Sequence, residues 1–474
     1  MIGKAETAER AGPEALEGVL DESPVSAREI AISLGCLALA FGIGIRAITS
    51  GLWLDETGTY WVIRDGLGSV FNRCPLGSVA YYVAAWAGSL LRPIAGFETA
   101  LRLPSVLATM AAGWLLFQLG RRLLGRRAAL IAVVAFFCLY DVASAMLDAR
   151  PYALGLLLLL ASMFSLVKWL DSSDWRYAIL YVAASALLVY THYLLVLGLA
   201  PQLVYAWREK HKMLLLWVGV AVLCLPLAIP LLTLYHARQE HAYLPKPVPL
   251  DLFRALAPPT MTATIFLAAI LGRASRRLTT SVPRIFLMVW AFFPPVILFA
   301  VSYFHDFSLF LPRYCLSSAP AIALLAGWIL SRISPAWLAS MILLAGFVFA
   351  YGGAIANRGG DDWRAADAMI NAQFSPNDVV LVASGFAEAT PQEINRSDAF
   401  FAPQVAYPIP KFGRLPASPI PTALPADFGG AKHVLLLVFD FQMQYADWNA
   451  QKLPGCHERL LGRFGRLQVI RFDR

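Results

Sequence analysis

The chain has 474 residues, of which 58% are hydrophobic and only 15% charged, and its mean hydropathy is +0.60. A soluble domain of this length needs far more charge to cover its surface, so the composition excludes an ordinary soluble enzyme and predicts a polytopic α-helical membrane protein. The net charge of +8 does not indicate nucleic-acid binding, because the arginines lie in short loops between apolar runs, where basic residues set orientation. The six scattered cysteines show neither metal-ligand spacing nor a disulfide framework.

The amino-terminal segment is polar and acidic. A signal peptide begins with a basic stretch followed by an apolar one, and this segment has neither. We therefore expect residues 1–29 to form a polar cytoplasmic tail. The first apolar span is then predicted to remain in the mature protein as an anchor.

About eleven apolar runs are predicted to cross the membrane, whose hydrocarbon core is about 30 Å thick. They comprise residues 30–49, 101–119, 128–147, 152–170, 177–192, 194–207, 213–235, 256–272, 285–304, 314–331 and 336–356. Basic residues concentrate in alternate loops, which assigns those loops to the cytoplasm, the amino terminus to the inside and the carboxyl terminus to the outside. Counting residues 76–91 as a further span would reverse the orientation of all that follows, and the four arginines within residues 121–127 argue against it.

The predicted organisation has two main parts beyond the tail. Residues 30–358 form a transmembrane domain, and residues 50–100 form its first outer loop, with amphipathic stretches typical of segments that lie in the interface. Residues 359–474 change in composition: a helical pattern at 363–373 precedes three strand-like runs that begin at Asp378, His433 and Leu467. This pattern predicts a small α/β domain outside the membrane, in which the proline-rich residues 403–425 form a loop or linker.

Polar residues recur at the predicted outer ends of the spans. The tetrapeptide Trp53-Leu54-Asp55-Glu56 follows the first span. Further polar turns carry Asp148 and Arg150, then His192, then His236 and His241, and finally Arg313 and Tyr314. A charged group costs about 2.5–3.5 kcal/mol at the centre of a transmembrane helix and less towards the interface. Their recurrence at one level therefore indicates a solvated cavity that faces outward.

Each of these residues also has a plain structural interpretation. Asp55 could end a solvated loop, Asp148 and Arg150 could cap span ends and pair with each other, and His192 could serve only as a hydrogen-bonded turn residue. The two histidines after the seventh span could simply be solvated, and Arg313 could be an anchor whose charge reaches the interface.

The functional interpretation rests on residue chemistry. The planar guanidinium of arginine suits a phosphate, and a carboxylate suits a general base that removes a proton from an attacking hydroxyl or amine. Apolar spans suit a lipid tail. Together these features suggest group transfer from a lipid-linked phosphate.

The ordered motifs of the chain resemble a known family, the bacterial members of the dolichyl-phosphate-mannose protein mannosyltransferase superfamily (family 39 type, GT-C fold), which includes the lipid A aminoarabinose transferases. The motifs are Trp53-Leu54-Asp55-Glu56, Leu101-Arg102-Leu103-Pro104-Ser105, Gly120-Arg121-Arg122-Leu123-Leu124-Gly125, Ala149-Arg150-Pro151-Tyr152-Ala153-Leu154, Tyr190-Thr191-His192-Tyr193, Leu311-Pro312-Arg313-Tyr314 and Asp361-Asp362-Trp363-Arg364. The resemblance covers nearly the whole chain. Each motif is short, and their order and spacing carry the specificity.

The resemblance implies roles for individual residues. Asp55 would be the catalytic base, and Glu56 would orient the acceptor or the first loop. The residues matched to the donor and its phosphate are Arg73, Arg102, Arg150, Arg313 and Tyr314, and those matched to the cavity wall are Asp148 and His192. One departure concerns the second amphipathic segment, where relatives often place a doubled proline after a basic residue or histidine. This chain has Arg73-Cys74-Pro75-Leu76, so the role of Arg73 is the least supported.

The implied activity is that of an inverting glycosyltransferase that moves a sugar from a polyprenyl-phosphate donor to a lipid, polymer or protein exposed in the periplasm. The protein would be a multi-pass component of the bacterial plasma membrane. We predict no cofactor, although the acid-rich first loop leaves a divalent metal open. A transporter or flippase of lipid-linked sugars is the alternative, but such proteins commonly show internal repeats with broken helices at mid-membrane, and no repeat is evident here. A binding protein that retains the fold without activity is a third interpretation.

Overall fold

A computed structural model gives the architecture of the chain. It describes residues 25–74, 78–236, 246–271, 273–274, 284–305, 307–356, 361–383, 418–420, 431–439 and 456–473. Several predictions fall outside these ranges: most of the polar tail, Pro75, Leu76, His241, the side chain of His236 and most of residues 403–425.

The helical part follows the order of the predicted spans. Its helices are α1 Ala27–Thr49, α2 Leu54–Ile63, α3 Leu67–Arg73, α4 Val79–Ser89, α5 Arg92–Ala95, α6 Phe97–Leu124, α7 Arg126–Phe137, α8 Tyr140–Leu147, α9 Tyr152–Ser172, α10 Trp175–Val189, α11 Gln202–Tyr205, α12 Lys210–Cys224, α13 Ala228–His236, α14 Pro249–Leu256, α15 Pro259–Leu271, α16 Arg284–Phe304, α17 Ala319–Leu330, α18 Ala336–Phe347 and α19 Gly353–Ala356. Short 3₁₀ helices occupy Tyr193–Leu199, Trp207–Glu209, Leu225–Leu227 and Pro312–Ser318, and a π-helical turn occupies Val348–Gly352.

The helical part has the length and apolarity of a multi-pass membrane protein. Within the described residues, seven helices could cross a membrane, or up to nine if each of two bent helix pairs counts as one span. Two shorter apolar helical segments, Trp175–Val189 and Tyr193–Tyr205, coincide with the predicted fifth and sixth spans. The fold class is thus confirmed, and the number eleven stays a prediction. Residues 76–91, the stretch that could also be counted as a further span, contain α4, which has only 11 residues.

Two predicted spans are not straight. Residues 128–147 form α7 and α8, which meet at an angle of 65° across Cys138 and Leu139, and α14 meets α15 at 52°. The second break follows from Pro258 and Pro259, because a proline cannot donate a backbone hydrogen bond and disfavours helix in the residue before it. We find no comparable sequence cause for the first break.

The core of the helical part lies among α6, α7, α9 and α17, where α6 packs on α7 and α9, and α17 packs on α7. Small residues permit close approach, as is usual between membrane helices. At Gly327 of α17, a Cβ atom would lie 2.4 Å from the carbonyl oxygen of Ala128 on α7. The tight packing of these four helices gives the adjoining site a rigid base.

The loop that follows α1 folds into a compact cluster. Helices α2, α3 and α4 bury Leu52, Tyr60, Val70 and Tyr81 against Leu101 at the start of α6. This packing fixes α2, and therefore Asp55 and Glu56, relative to the transmembrane helices.

The carboxyl-terminal part is a five-stranded sheet covered by helix α20, Trp363–Gln373. Its strands are β3 Val379–Ala383, β4 Ser418–Ile420, β5 His433–Phe439, β6 His457–Phe464 and β7 Leu467–Asp473, in the order β4-β3-β5-β7-β6. A separate antiparallel pair joins β1, Arg273–Ala274, to β2, Ile333–Ser334. In the sheet, β3 runs parallel to β4 and β5, whereas β7 runs antiparallel to β5 and β6.

The sheet has two strands that the sequence did not predict. Strand β4 lies within the segment predicted as a loop, and there it adds an edge to β3. Strand β6 is mostly exposed, so it lacks the apolar alternation that marks a buried strand. The core beneath α20 consists of Trp363, Ala366, Ile370, Val380, Val382, Leu435, Leu437, Leu467 and Val469.

Candidate functional site

The two adjacent acids of the first loop point in different directions from the start of α2. Successive residues of an α-helix are rotated by about 100°, because 3.6 residues make a turn. The Glu56 carboxylate folds back to accept the backbone N–H of Trp53 at 3.1 Å, as a carboxylate does in a capping box. Negative charge is favoured at this end of a helix by the helix dipole. One short helix therefore presents Asp55 and Glu56 to separate surroundings.

Glu56 is completely buried and bound to Arg102 of α6, which is itself 1% exposed. Its Oε1 accepts from Arg102 Nε at 2.8 Å and from the Ala149 backbone N–H at 2.7 Å, and its Oε2 accepts from Arg102 Nη2 at 2.5 Å. Arg102 also donates to the carbonyl oxygens of Ala47, Ile48, Ser50 and Gly51. This dry pair ties together the end of α1, the start of α2, α6 and the turn after α8.

Asp55 lies between two arginines from distant parts of the chain. Its Oδ2 is 3.2 Å from Nη1 of Arg313 and 3.7 Å from Nη2 of Arg150, and the Asp55 carbonyl oxygen accepts from Arg150 Nη1 at 3.3 Å. The side chains of Asp55, Arg150 and Arg313 are 13%, 22% and 28% exposed. The Nε atom of each arginine is buried without a hydrogen-bond partner in the described part of the chain. Both guanidinium groups therefore keep spare donors.

Aromatic rings line the arginine side of this group. The His192 ring lies 5.1 Å from that of Tyr152 and 5.5 Å from that of Tyr314. Each arginine sits over one of these tyrosines: Arg150 is 5.9 Å from the Tyr152 ring centre, and Arg313 is 5.6 Å from the Tyr314 ring centre. Such distances favour cation–π attraction.

His192 itself is a neutral residue in the turn between two apolar helical segments. Burial, and next the positive charges of Arg150 and Arg313, lower the pKa of His192 to about 3. Its Nδ1 atom is buried without a hydrogen-bond partner among the described residues. At neutral pH this imidazole therefore carries no charge beside the two guanidinium groups.

Asp148 faces the tetrapeptide from the turn after α8. It is 4% exposed, and its Oδ1 accepts the indole N–H of Trp53 at 3.1 Å. Both residues, together with Tyr152 and Arg313, line a cavity of about 240 Å³, which we call the small cavity. With Tyr140 and Asp141, which also line it, the site thus offers two acids, an arginine and three aromatic rings to one partly open cavity.

A larger cavity of about 580 Å³ adjoins the small one, and the two share Tyr140, Asp141, Pro312 and Leu316. Its remaining wall is mainly apolar and includes three charged residues, Lys246, Asp251 and Arg254. The bend between α7 and α8 places Tyr140 and Asp141 at the junction of the two cavities.

The structure brings most of the predicted site residues together. Asp55, Arg150, Arg313, Tyr314 and His192 form one contact group, which Asp148 joins through the small cavity. Glu56 and Arg102 lie next to this group as a closed pair.

Arg73 lies elsewhere in the first loop. Its Nη2 is 2.6 Å from Asp65, and its guanidinium sits 4.7 Å from the Trp61 ring centre. Hydrogen bonding from Arg64, and then Arg73, holds the pKa of the Asp65 carboxyl below its usual value. Within the described contacts, Arg73 does not meet the Asp55 group.

Sequence reasoning missed several wall residues. Asp141 gave a usable signal, because an acid inside a predicted span is expensive and commonly functional. Trp53 and Tyr152 stood inside motifs that had been singled out, but their side chains were given no role. Lys246 and Arg254 belong to a polar connection with no pattern to distinguish them.

Across the described residues, no group of three or more His, Cys, Asp and Glu side chains is arranged to hold a metal ion. The positive charge beside Asp55 is supplied by arginines.

Comparison with known proteins agrees with this fold. Residues 81–234 match the family model described as dolichyl-phosphate-mannose-protein mannosyltransferase. No curated protein sequence matches the chain. Among solved structures, the chain is similar to ArnT from Cupriavidus metallidurans bound to undecaprenyl phosphate, with a TM-score of 0.60, 13% identity, and coverage of 92% of this chain and 97% of that one. The apo state of the same protein gives a TM-score of 0.57 at the same identity and coverage.

A second solved structure is more distant. It is the archaeal oligosaccharyltransferase AglB from Archaeoglobus fulgidus in complex with an inhibitory peptide and a dolichol-phosphate, with a TM-score of 0.53 and 11% identity over 94% of this chain and 74% of that one. These structural likenesses show the fold. The helical bundle with its carboxyl-terminal sheet is a membrane protein of the GT-C fold class.

The sequence match and the fold agree with each other. Residues 81–234 are similar to the mannosyltransferase family model, and the fold of the chain is similar to that of ArnT. The resemblance drawn from the short motifs is thereby confirmed.

Proposed function

We propose that this protein transfers a sugar from a polyprenyl-phosphate donor to an acceptor on the outer side of the membrane, with Asp55 as the general base. The observation that carries the proposal is the Asp55 carboxylate held between Arg150 and Arg313, the second of which lines the small cavity. A base for the incoming nucleophile and positive charge for the departing phosphate are the two needs of this reaction.

The proposed step is a single displacement with inversion. An acceptor hydroxyl or amine attacks the anomeric carbon, and its proton passes to the Asp55 carboxylate. The bond from the anomeric carbon to the phosphate oxygen breaks, and polyprenyl phosphate leaves with the bonding electrons. Arg313 and Arg150 stabilise the charge that develops on the phosphate, since a planar guanidinium binds phosphate oxygens through parallel N–H groups.

The ion pairs of Asp55 link donor binding to the base. A donor phosphate at Arg313 and Arg150 would share the N–H groups that Asp55 now accepts, and each arginine also has an Nε donor without a partner among the described residues. Donor binding would thus loosen the hold of the arginines on the carboxylate and leave it freer to accept a proton.

The two cavities suit the two ends of a lipid-linked sugar. The small cavity, with Asp148, Trp53 and Arg313, would hold the sugar and the phosphate, because its wall combines an acid with aromatic rings. The large cavity has the volume and the mainly apolar wall to receive the first prenyl units. The ArnT structure bound to undecaprenyl phosphate supports a polyprenyl-phosphate donor.

Orientation and location belong to the same proposal. We infer a plasma-membrane protein of a bacterium, with the amino terminus in the cytoplasm. The carboxyl-terminal sheet with helix α20, which we call the sheet domain, would then lie in the periplasm. The excess of basic residues in alternate loops supports this orientation. The acceptor class is a lipid, a glycan polymer or a protein; among proteins of this fold, AglB has been solved in complex with an inhibitory peptide.

The decisive experiment compares Asp55→Asn with Asp65→Asn in membranes supplied with radiolabelled undecaprenyl-phosphate hexose. Asp65 is a half-exposed acid of the same loop, paired with arginines away from the cavities, so it is a matched control. We expect Asp55→Asn to lower sugar transfer at least about 100-fold, as loss of a general base does. Asp65→Asn should keep the parental rate.

Equal transfer by Asp55→Asn and the parent would rule out Asp55 as the base. If sealed vesicles moved the labelled lipid across the membrane without breaking the sugar–phosphate bond, the protein would be a transporter. Comparison of glycolipids and glycopolymers from cells with and without the protein identifies the acceptor.

A further inference from the structure

The segment Gly51–Trp53, which joins α1 to α2, is held from two sides. On the membrane side, Arg102 donates to the carbonyl oxygens of Ser50 at 2.6 Å and Gly51 at 2.9 Å. On the other side, the segment touches the sheet domain. This segment, which we call the link, is short and is fixed on both sides, so it has little freedom to shift.

The contact with the sheet domain is close and specific. The buried indole of Trp363 in α20 donates to the carbonyl oxygen of Leu52 at 2.8 Å. Gly51 packs so tightly that a Cβ atom there would lie 1.8 Å from the carbonyl oxygen of Asp361. The sheet domain therefore contacts two successive residues of the link.

A third contact comes from the turn between β6 and β7. Arg466 lies in this turn, and its guanidinium is 5.9 Å from the ring centre of Trp53. The side chain is fixed by Asp361, a fully buried carboxylate that accepts from Arg466 Nη2 at 2.6 Å and from its backbone N–H at 3.0 Å. Asp361 thus acts twice: its carbonyl oxygen packs against Gly51, and its carboxylate holds the Arg466 guanidinium near the Trp53 ring.

Trp53 transmits these contacts to the site. Its carbonyl oxygen accepts the backbone N–H groups of Glu56 at 2.9 Å and Thr57 at 3.2 Å, which form the first turn of α2. Its indole N–H donates to Asp148. Asp55 stands within that first turn, so a shift of Trp53 moves the Asp55 carboxylate relative to Arg150 and Arg313.

We propose that the sheet domain positions Asp55 through the Gly51–Trp53 segment, with Trp363 and Arg466 as positioning residues. The proposal rests on the function proposed above. The sheet domain is then part of the catalytic framework, because displacing a reacting group by about 1 Å can cost about 100-fold in rate.

Adjacent residues of α20 offer a matched test. Trp363→Phe keeps an aromatic ring in the sheet-domain core and removes the N–H that binds Leu52. Arg364→Gln removes a different contact between the same two parts, the ion pair of Arg364 Nη1 with Glu98 at 2.7 Å, and leaves the link untouched. We expect Trp363→Phe to lower kcat about tenfold and to change KM for the labelled donor less than about twofold. Arg364→Gln should keep both constants.

A second pair of variants changes the link side of the same contact. Gly51→Ala must displace the link from Asp361, whereas Gly68→Ala adds a methyl group to open space in α3 of the same loop. We expect Gly51→Ala to lower kcat and Gly68→Ala to have no effect. If Trp363→Phe fails to fold, this pair tests the positioning role of the sheet domain.

Hydrogen exchange separates failure of this proposal from failure of the proposed function. The peptide that contains the amides of Glu56 and Thr57 should exchange faster in Trp363→Phe and Gly51→Ala, by about tenfold, and at the parental rate in both controls. Unchanged exchange in the two test variants, or unchanged kcat in an active parent, would overturn the positioning role. If the parent transferred no sugar, the proposed function would fail, and the exchange rates alone would decide whether the sheet domain holds the link.

Discussion

Two ion-pair clusters one residue apart along α2 differ in almost every physical respect. The cluster of Glu56 and Arg102 is dry, and the carboxylate accepts hydrogen bonds from three residues. The cluster of Asp55, Arg150 and Arg313 is partly exposed, keeps unused donors and adjoins a cavity. The difference teaches that a dry, fully hydrogen-bonded acid ties structural elements together, whereas a partly exposed acid beside spare donors and a cavity stays open to a ligand.

The largest test of this contrast is the loss of the Glu56 charge. Glu56→Gln leaves the buried guanidinium of Arg102 without its counter-ion, and breaking a buried pair from one side costs about 3–5 kcal/mol. We expect a strong drop in the thermal unfolding midpoint and in the yield of folded protein. Asp55→Asn should lower the midpoint far less, because water and the cavity reach its arginines. Equal destabilisation by the two variants would contradict the distinction between them.

A second test removes one arginine of the open cluster. Arg313→Lys keeps the positive charge but loses the planar fork that binds two phosphate oxygens. We expect sugar transfer to fall about 10- to 100-fold with the fold intact, since hydrogen bonds to charged groups contribute about 1.5–3 kcal/mol. The measurement is the rate of transfer from labelled undecaprenyl-phosphate hexose, with the unfolding midpoint as its control. A parental rate in this variant would show that Arg313 does not bind the leaving phosphate.

A third test uses pH to ask whether His192 belongs to the reactive cluster. Its pKa of about 3 lies below the ordinary value of 6.5, so between these values the unfolded chain binds a proton that the folded chain does not. The folded state therefore loses stability as the pH falls through 6.5, by about 2 kcal/mol at pH 5.

His192→Gln removes this titration. Its unfolding midpoint should fall less than that of the parent between pH 7 and pH 5, and the pH profile of transfer should keep its shape, because the imidazole is neutral at both values. Identical pH dependence of unfolding in parent and variant would show that His192 titrates normally.

The smallest expected effect concerns Arg73, which the family motif assigned to the donor. Its contacts are with Asp65 and Trp61 in the first loop. An ion pair with a half-exposed acid contributes about 1 kcal/mol or less. We expect Arg73→Gln to change the transfer rate less than about twofold in the assay above. A loss as large as that of Arg313→Lys would place Arg73 at the donor after all.

The sequence predicted which elements carry the site but not which side chains meet. Topology placed Asp55 and Arg313 at one face of the membrane, yet their contact joins residues 258 positions apart, and no periodic pattern encodes such a distance. The pairing of Glu56 with Arg102 could not be predicted either. Which side chain each of the two acids contacts depends on its direction from the first turn of α2.

The prediction of the outer domain was similarly uneven. The buried strands β3, β5 and β7 carry apolar runs that can be read directly, whereas β6 is an exposed edge without alternation. The bend at Cys138 and Leu139 had no sequence signal, since both flanking segments are apolar. Local composition thus predicted the buried elements and missed those that depend on tertiary contacts.

The bonds of Arg102 also bear on how the chain is assembled. The carbonyl oxygens at 47, 48, 50 and 51 belong to the end of the first span, but the guanidinium that satisfies them is carried by α6, which is synthesised later. Until α6 is inserted, these oxygens and the Glu56 carboxylate must stay hydrated at the membrane surface, because lipid offers them no partner. We therefore expect the end of α1 to pack in its final position only after α6 has been inserted into the membrane.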